Sequence, residues 1–91
     1  MIYRVYSVRD SKSGFMTPTV DVNDDVAIRN FNHAVTQSEG ILFTHAHDFS
    51  LYMIGTFDSD HGILDPAIPP VCIAEGSDAV RSVRQEVSKD A

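Results

Sequence analysis

The first twelve residues hold the side chains best suited to contact a nucleic acid. Arg4, Arg9 and Lys12 share this stretch with a single carboxylate, and Tyr3 and Tyr6 lie among them. Arginine and lysine neutralise phosphates, and tyrosine rings stack on unpaired bases. In a regular strand the two tyrosines point to opposite faces, so one ring at most can lie beside Arg4 while the other enters the core. The alternative interpretation is a solvated edge strand, in which cations deter pairing with other chains.

Two histidines, His45 and His47, have the spacing of a zinc-binding His-x-His motif. The stretch is similar to that of metallo-β-lactamase-like hydrolases, in which two imidazoles after a strand bind zinc. A hydrolytic zinc site needs about three protein ligands and an open position for water. Asp48 follows immediately, where that family places its acid later, and the chain is far shorter than the hydrolase fold. We therefore expect solvent-facing or loop-capping histidines, with a metal-dependent hydrolase as the less favoured hypothesis.

A turn rich in aspartate surrounds Gly62. Asp58, Asp60 and Asp65 carry oxygen ligands of the kind that calcium prefers, but the EF-hand spacing and its closing glutamate are absent. We interpret the segment as a turn whose carboxylates accept local hydrogen bonds. No glycine-rich phosphate loop, Ser-His-Asp set or Cys-His pair stands out in the sequence. The sequence therefore predicts a protein that is not an enzyme and that uses no cofactor or metal.

The charge balance limits how strongly a nucleic acid could be bound. The net charge is −6, with 7 Lys and Arg against 13 Asp and Glu in 91 residues. Residues 1–40 hold four cations against five carboxylates, and residues 41–91 hold three against eight. Attraction to phosphate comes from clustered cations, so any contact with a nucleic acid has to be local.

The single cysteine, Cys72, excludes an intrachain disulfide, and its apolar neighbours predict a buried thiol in a reducing compartment. No apolar stretch approaches the length of a membrane span, and no signal-peptide pattern opens the chain. With 43% hydrophobic residues the chain can bury one core. We expect a soluble, intracellular protein.

A strand over residues 2–8 and a polar loop over residues 9–14 would carry the cationic segment. A helix should start at Asn23, whose side chain can cap free amides and which precedes two aspartates. Gly40 should end this helix in the left-handed conformation. The apolar face of the helix is predicted from three- and four-residue spacing to contain Ala27, Ile28, Phe31, Ala34 and Val35.

The second half predicts short strands followed by a final helix capped by Ser77, with a thin valine stripe that reaches Val87. Its expected elements are a buried strand or loop floor at residues 41–44, a strand at 50–57, a hairpin turn at 58–62, and a strand of at most five residues at 71–74. The aromatic residues assigned to the core are Phe15, Phe31, Phe43, Phe49, Tyr52 and Phe57.

This order of elements predicts an α+β fold, in which a small, mostly antiparallel sheet carries one main helix and a short C-terminal helix follows. We expect a single domain over residues 1–75 and a helical or partly disordered tail over residues 76–91. Small size and an exposed strand edge also favour a homodimer.

Three segments resemble the small nonstructural protein of gokushoviruses, which are single-stranded-DNA phages of the microvirus family. They are residues 1–12, the helix around residues 27–31, and residues 48–58. The resemblance spans about residues 1–75, in the expected order and at the expected total length. It implies a DNA-binding phage protein in the bacterial cytoplasm that helps to switch from duplex replication to single-stranded genome synthesis.

Two functional hypotheses follow from the resemblance and the charge pattern. The first is a non-enzymatic protein that binds DNA through Arg4, Arg9, Lys12 and Arg29, with Tyr3 or Tyr6 stacking on a base; single-stranded DNA is the expected form. The second is an acidic protein-interaction module that acts on a phage replication protein, a capsid protein or a host protein.

Overall fold

The computed structural model describes the backbone of residues 1–90 and the side chains of residues 1–83. Over this part of the chain, three helices accompany one antiparallel sheet, which confirms the predicted α+β fold. The strands are β1 (Ile2–Asp10), β2 (Gly14–Phe15), β3 (Thr19–Asp21), β4 (Phe49–Asp58) and β5 (Ile63–Glu75). The helices are α1 (Asp24–Gln37), α2 (Ile41–Thr44) and α3 (Gly76–Asp90), with a 3-10 turn at Ala46–Asp48.

The sheet has the strand order β2-β1-β4-β5, and β3 pairs with β1 beside β2. The predicted strands at residues 2–8 and 50–57 are confirmed, since β1 and β4 pair from Ile2 opposite Asp58 to Asp10 opposite Phe49. The register shifts at Val5, where β4 contains one extra residue, Ile54. The predicted hairpin at residues 58–62 is also confirmed, because it joins β4 to β5.

Helix α1 begins as its sequence predicts. The Asn23 side chain accepts a hydrogen bond from the amide of Val26 over 2.9 Å, and Ala27, Phe31 and Val35 are buried. The expected left-handed end at Gly40 is wrong, since that residue has a φ of −109°. The backbone instead leaves the helix at Ser38 in an extended conformation and enters α2 directly.

The core lies between one face of the sheet and the helices. Tyr6, Phe49 and Leu51 supply the sheet side. The buried helical residues are Ala27, Phe31 and Val35 of α1 and Ala79 and Val80 of α3. The first turns of α3 therefore pack in the same core as α1, whereas the predicted stripe residue Val87 and the terminal Ala91 lie outside the residues whose side chains are described.

Two predicted elements in the second half are wrong. Residues 41–44 form the single helical turn α2 because the amide of His45 donates to the carbonyl of Ile41 over 2.8 Å. A short apolar run does not by itself distinguish a helical turn from a strand. The predicted short strand at residues 71–74 is the end of β5, which has 13 residues. β5 tolerates its prolines because it is an edge strand. On its open side there is no neighbouring strand to which a backbone amide would have to donate a hydrogen bond.

The position of β5 also explains the exposure of Cys72, which was predicted to be buried. The residue lies opposite Tyr52 on an edge strand, where helices do not enclose it. In the part of the chain that the structure describes, no helix is long and apolar enough to cross a membrane.

Candidate nucleic-acid interface

Arg4 lies in an acidic environment near the start of α1. Its guanidinium is 3.4 Å from the carboxylate of Asp24, and Asp21 is its partner across the strands. Asp24 and Asp25 line a shallow hollow together with Arg4. Because these carboxylates compensate the guanidinium charge, Arg4 has little left with which to attract a phosphate.

The two tyrosines of β1 have different environments, as strand alternation predicts. Tyr6 is 0% exposed and its hydroxyl donates to Asp24 over 2.7 Å. A fully buried ring cannot stack on a base, so Tyr6 is not a DNA contact in this conformation. Tyr3 is half-buried beside Val20 and Phe57 in a shallow hollow, and only its outer edge is accessible.

Arg9 lies on the opposite face of the sheet from the core. Tyr6 faces the core, and side chains alternate along β1, so Ser7 and Arg9 point to the other side. Across the strands Arg9 is paired with Phe15 of β2 and with Ser50 of β4. Arg9 is exposed and forms no ion pair with any residue whose side chain is described.

Two aromatic rings accompany Arg9 on this face. The rings of Phe15 and Tyr52 meet edge to face, with centroids 5.4 Å apart and planes at 77°. They belong to β2 and β4, on either side of β1, and they approach each other across the small side chain of Ser7, the partner of Tyr52. Phe15 is 50% exposed, so one side of its ring is open to an incoming planar group.

Lys12 sits at the tip of the turn that joins β1 to β2. Its backbone amide donates to one carboxylate oxygen of Asp10 over 2.9 Å, and the hydroxyl of Ser13 donates to the other over 3.0 Å. Gly14 follows with a φ of +103°, which other residues rarely adopt. The turn is anchored by the amide of Ser11, which donates to the carbonyl of Asp48 over 2.9 Å. Lys12 is therefore presented by an ordered turn.

We call Arg9, Lys12, Phe15 and Tyr52 the hairpin platform. It sets Arg9 and two aromatic rings on one face at one end of the sheet. Lys12 lies at the tip of the adjoining hairpin, beside a hollow that Asp10 and Asp48 also line. Phosphates are attracted by such cations, and unstacked bases pack on such rings. The arrangement can therefore hold a short stretch of single-stranded nucleic acid.

Several carboxylates surround the platform. Asp10 and Asp48 line a hollow together with Lys12, and Glu75 lies farther away at the end of β5. Glu75 is the partner of Ser50, so it lies two strands away from Arg9, a separation of about 10 Å. Its carboxylate accepts hydrogen bonds from Ser50 over 2.6 Å and from the thiol of Cys72 over 3.2 Å. Although the residue is exposed, partial desolvation of its sulfur and this hydrogen bond raise the pKa of the Cys72 thiol, so it remains protonated at neutral pH.

Arg29 is separated from the hairpin platform by the sheet. It is an exposed residue of α1, and α1 packs on the face that contains Tyr6 and Leu51. Arg4, on the same face as Tyr6, is about 16 Å along β1 from Arg9. The structure thus brings together Arg9 and Lys12, but it places Arg4 and Arg29 elsewhere.

Phe15 and Tyr52 were assigned to the core by sequence reasoning, and neither is buried. A local sequence signal could have indicated that Phe15 lies outside the core. Gly14 follows Asp10 by four residues, which is compatible with a tight hairpin that sets Phe15 opposite Arg9. Tyr52 could not be found in this way, because its approach to Phe15 depends on the register between β1 and β4.

The histidines show ordinary polar contacts. The ring of His45 lies 2.9 Å from the hydroxyl of Thr44, and its centroid is 6.2 Å from that of His47. His61 is 2.8 Å from the carboxylate of Asp58 in the hairpin turn. Within the described residues, no three His, Cys, Asp or Glu side chains converge in a group that could hold a metal ion.

Comparison with known proteins matches the chain to a protein family. A family model described as Phage ORF5 protein matches residues 3–79, a range that contains the whole hairpin platform and, except for Ile2, all five strands. No curated protein and no solved structure shows a significant match to the chain.

Proposed function

The chain belongs to the Phage ORF5 protein family and is thus a bacteriophage protein, and we propose that it binds single-stranded DNA without acting as an enzyme. We propose further that it belongs to a phage of the gokushovirus type and works in the host cytoplasm. There it would help to switch replication from duplex DNA to single-stranded genomes. The resemblance of residues 1–12, 27–31 and 48–58 to the nonstructural proteins of those phages supports this role.

The observation that carries the DNA-binding proposal is the hairpin platform. Arg9 and Phe15 are direct cross-strand partners, Tyr52 lies against Phe15, and Lys12 is at the tip of the same hairpin. A nucleotide needs a cation for its phosphate and a flat apolar surface for its base. The β1–β2 hairpin offers both.

The exposed ring supports a preference for single strands. A base can pack on Phe15 only if it has left its stack and its partner, which costs a few kcal/mol in a duplex and little in a single strand. The chain also has only 7 Lys and Arg against 13 Asp and Glu, a balance that disfavours tracking a duplex backbone through many phosphate contacts. We therefore expect weak binding at few sites and a modest dependence on salt.

The salt dependence can be stated as a number. Two cations, Arg9 and Lys12, would displace the counterions of about two phosphates per chain. The logarithm of the binding constant should then fall with the logarithm of the salt concentration with a slope of about −1.4 per chain. A coat protein with many phosphate contacts would give a much steeper slope.

Titration of a fluorescent oligothymidylate at several salt concentrations tests the proposal. The double variant Arg9→Gln, Lys12→Gln should bind at least about tenfold more weakly and should lose most of the salt slope. Arg29→Gln is the matched control, because it removes one exposed positive charge on the other side of the sheet. Absence of binding by the wild-type protein at low salt would sink the proposal, as would an equal loss in the control.

The alternative function, an acidic protein-interaction module, is favoured by a different observation. Asp60, Asp65, Glu75 and Asp78 are exposed in the second half of the chain. A basic surface on a phage replication protein, a capsid protein or a host protein would be attracted to them. Should the oligonucleotide titration fail while a purified phage protein of this kind binds the chain in a salt-sensitive manner, the alternative replaces the first proposal.

A further inference from the structure

An apolar groove lies on the sheet away from the hairpin platform. It has a volume of about 510 Å³ and is lined by residues of four segments. Val5 lies in β1, Val20 in β3, Phe57 in β4 and Leu64 in β5. None of the three helices contributes a side chain to the lining within the described residues. A sheet normally buries its apolar surface against another layer, and this part of the sheet has none.

The apolar surface continues beyond the groove along β5. Leu64 is 69% exposed and Ile68 86%, and Val20 on the opposite side of the groove is 51% exposed. Contiguous apolar surface of this kind on a soluble protein marks an interaction site more often than an ordinary monomer surface. We call this surface, from Val20 across the groove to Ile68, the β5 strip.

The prolines of β5 restrict how a partner can dock. Pro66, Pro69 and Pro70 lack the backbone amide that an added strand would need, so an extended peptide cannot continue the sheet at this part of its edge. The segment from Ala67 to Pro70 has no partner in β4, since the pairing jumps from Val71 to Pro66. A partner must therefore use its side chains and pack against the strip.

The charge distribution favours a second copy of this chain as that partner. The chain has a net charge of −6, yet among residues 1–83, whose side chains are described, Asp65 is the one charged residue that lines the groove. Two copies therefore meet least electrostatic repulsion at this surface, and a basic partner would find little to attract it there. A partner with an apolar, nearly uncharged surface is required, and the strip itself has that chemistry.

The shape of the strip suits contact with a second copy. It contains both a hollow, the groove, and exposed side chains, Leu64 and Ile68. A twofold axis can place the exposed residues of each copy in the groove of the other.

We propose that the β5 strip is the interface of a homodimer, in which the unpaired segment of β5 from one copy packs against the groove of its partner. This proposal does not depend on DNA binding, since the groove shares no residue with the hairpin platform. Formation of the dimer would cover the apolar part of the sheet that the helices leave open.

Sedimentation velocity of the full chain between about 1 µM and 500 µM tests the proposal, because specific dimers of modest affinity form in this range. Ile68→Asp and Leu64→Asp are the test variants, and the exposure of both side chains keeps the fold independent of them. Ile41→Asp is the matched control, since Ile41 is 61% exposed on α2 and does not line the groove. Circular dichroism and thermal melting establish that each variant is folded.

We expect a wild-type dimer whose dissociation constant rises about thirtyfold or more in each test variant, as for loss of a central interface residue. The control should dimerise like the wild type. A wild-type protein that stays monomeric at the highest concentration would overturn the proposal, even if it binds another phage protein. A dimer that persists in both test variants, or one that the control weakens equally, would place the interface elsewhere and also overturn it.

Discussion

The hydroxyl of Tyr6 donates to a carboxylate oxygen of Asp24 over 2.7 Å, and the guanidinium of Arg4 approaches the same oxygen to 3.4 Å. Asp24 thereby joins β1 to the first turn of α1, where a negative charge also complements the helix dipole. This contact holds α1 against the sheet. It also engages the side chains of Arg4 and Tyr6, two residues of the cationic first segment. The proposed DNA contacts are therefore those at the other end of β1.

The hydrogen bond between Tyr6 and Asp24 should contribute measurably to the free energy of unfolding. Tyr6→Phe keeps the buried ring but removes the donor, and a hydrogen bond to a half-exposed carboxylate contributes about 1–2 kcal/mol. Urea unfolding should show this loss. Tyr3→Phe is the control, because the hydroxyl of Tyr3 has no hydrogen bond among the described residues; a change of less than about 0.5 kcal/mol is expected there. Equal effects of the two substitutions would contradict the assignment.

Alkaline pH should destabilise the protein through the same residue. Burial, reinforced by the hydrogen bond to Asp24, raises the pKa of Tyr6 above the ordinary value of 10.0. The unfolded chain then loses its phenolic proton at a lower pH than the folded chain does. The contribution is fully present below about pH 10 and is lost as the pH rises from there towards the folded-state pKa. Unfolding free energies measured at increasing pH should fall more steeply for the wild type than for Tyr6→Phe, and parallel curves would refute this explanation.

Gly55 allows β4 and β5 to approach each other closely. A Cβ atom at this position would collide with the backbone carbonyl of Asp65. Gly55→Ala should therefore destabilise the fold by about 1–3 kcal/mol in urea unfolding. Gly40→Ala is the matched control, because the nearest atom to its new Cβ would be the Ser38 hydroxyl oxygen at 3.8 Å. Its unfolding free energy should be nearly unchanged, and an unperturbed Gly55→Ala protein would show that the strands can separate at no cost.

Substitutions in the hairpin platform should distinguish the contribution of base stacking to the proposed DNA binding from the contribution of charge. Phe15→Ala removes a half-exposed ring and should weaken oligonucleotide binding by about 1–3 kcal/mol without changing the salt slope. Arg9→Gln should reduce the magnitude of the slope by about 0.7 while leaving the ring in place. Binding titrations at several salt concentrations distinguish the two effects. If Phe15→Ala binds like the wild type, the bases do not contact this ring.

Several elements were predictable because their signals are local. Asn23 caps α1, and Ala27, Phe31 and Val35 recur at helical spacing, so the start and the buried face of the helix follow from neighbouring residues. The strands at residues 2–8 and 50–57 were predictable because both segments are mostly apolar and end in polar residues. Residues 41–44 were not predictable in this way, because four apolar residues fit a helical turn and a strand equally well.

The candidate site depended on non-local contacts. The cationic segment was visible in the sequence, but only the fold shows that Asp24, twenty residues from Arg4, compensates its charge. The pairing of β1 with β4 and β2 brings Tyr52 and Phe15 together from positions 37 residues apart. The exposure of Cys72 and of the β5 strip likewise follows from the position of β5 at the edge of the sheet.

The α+β class, the start of the main helix and the presence of cations near the first strand follow from the amino-acid sequence alone, since these depend on residues close along the chain. The tertiary structure decided which cations remain available, which rings are exposed and which apolar side chains lie uncovered. Those properties depend on strand register and on which face of the sheet the helices cover. Both arise from contacts between distant segments, and no local pattern encodes them.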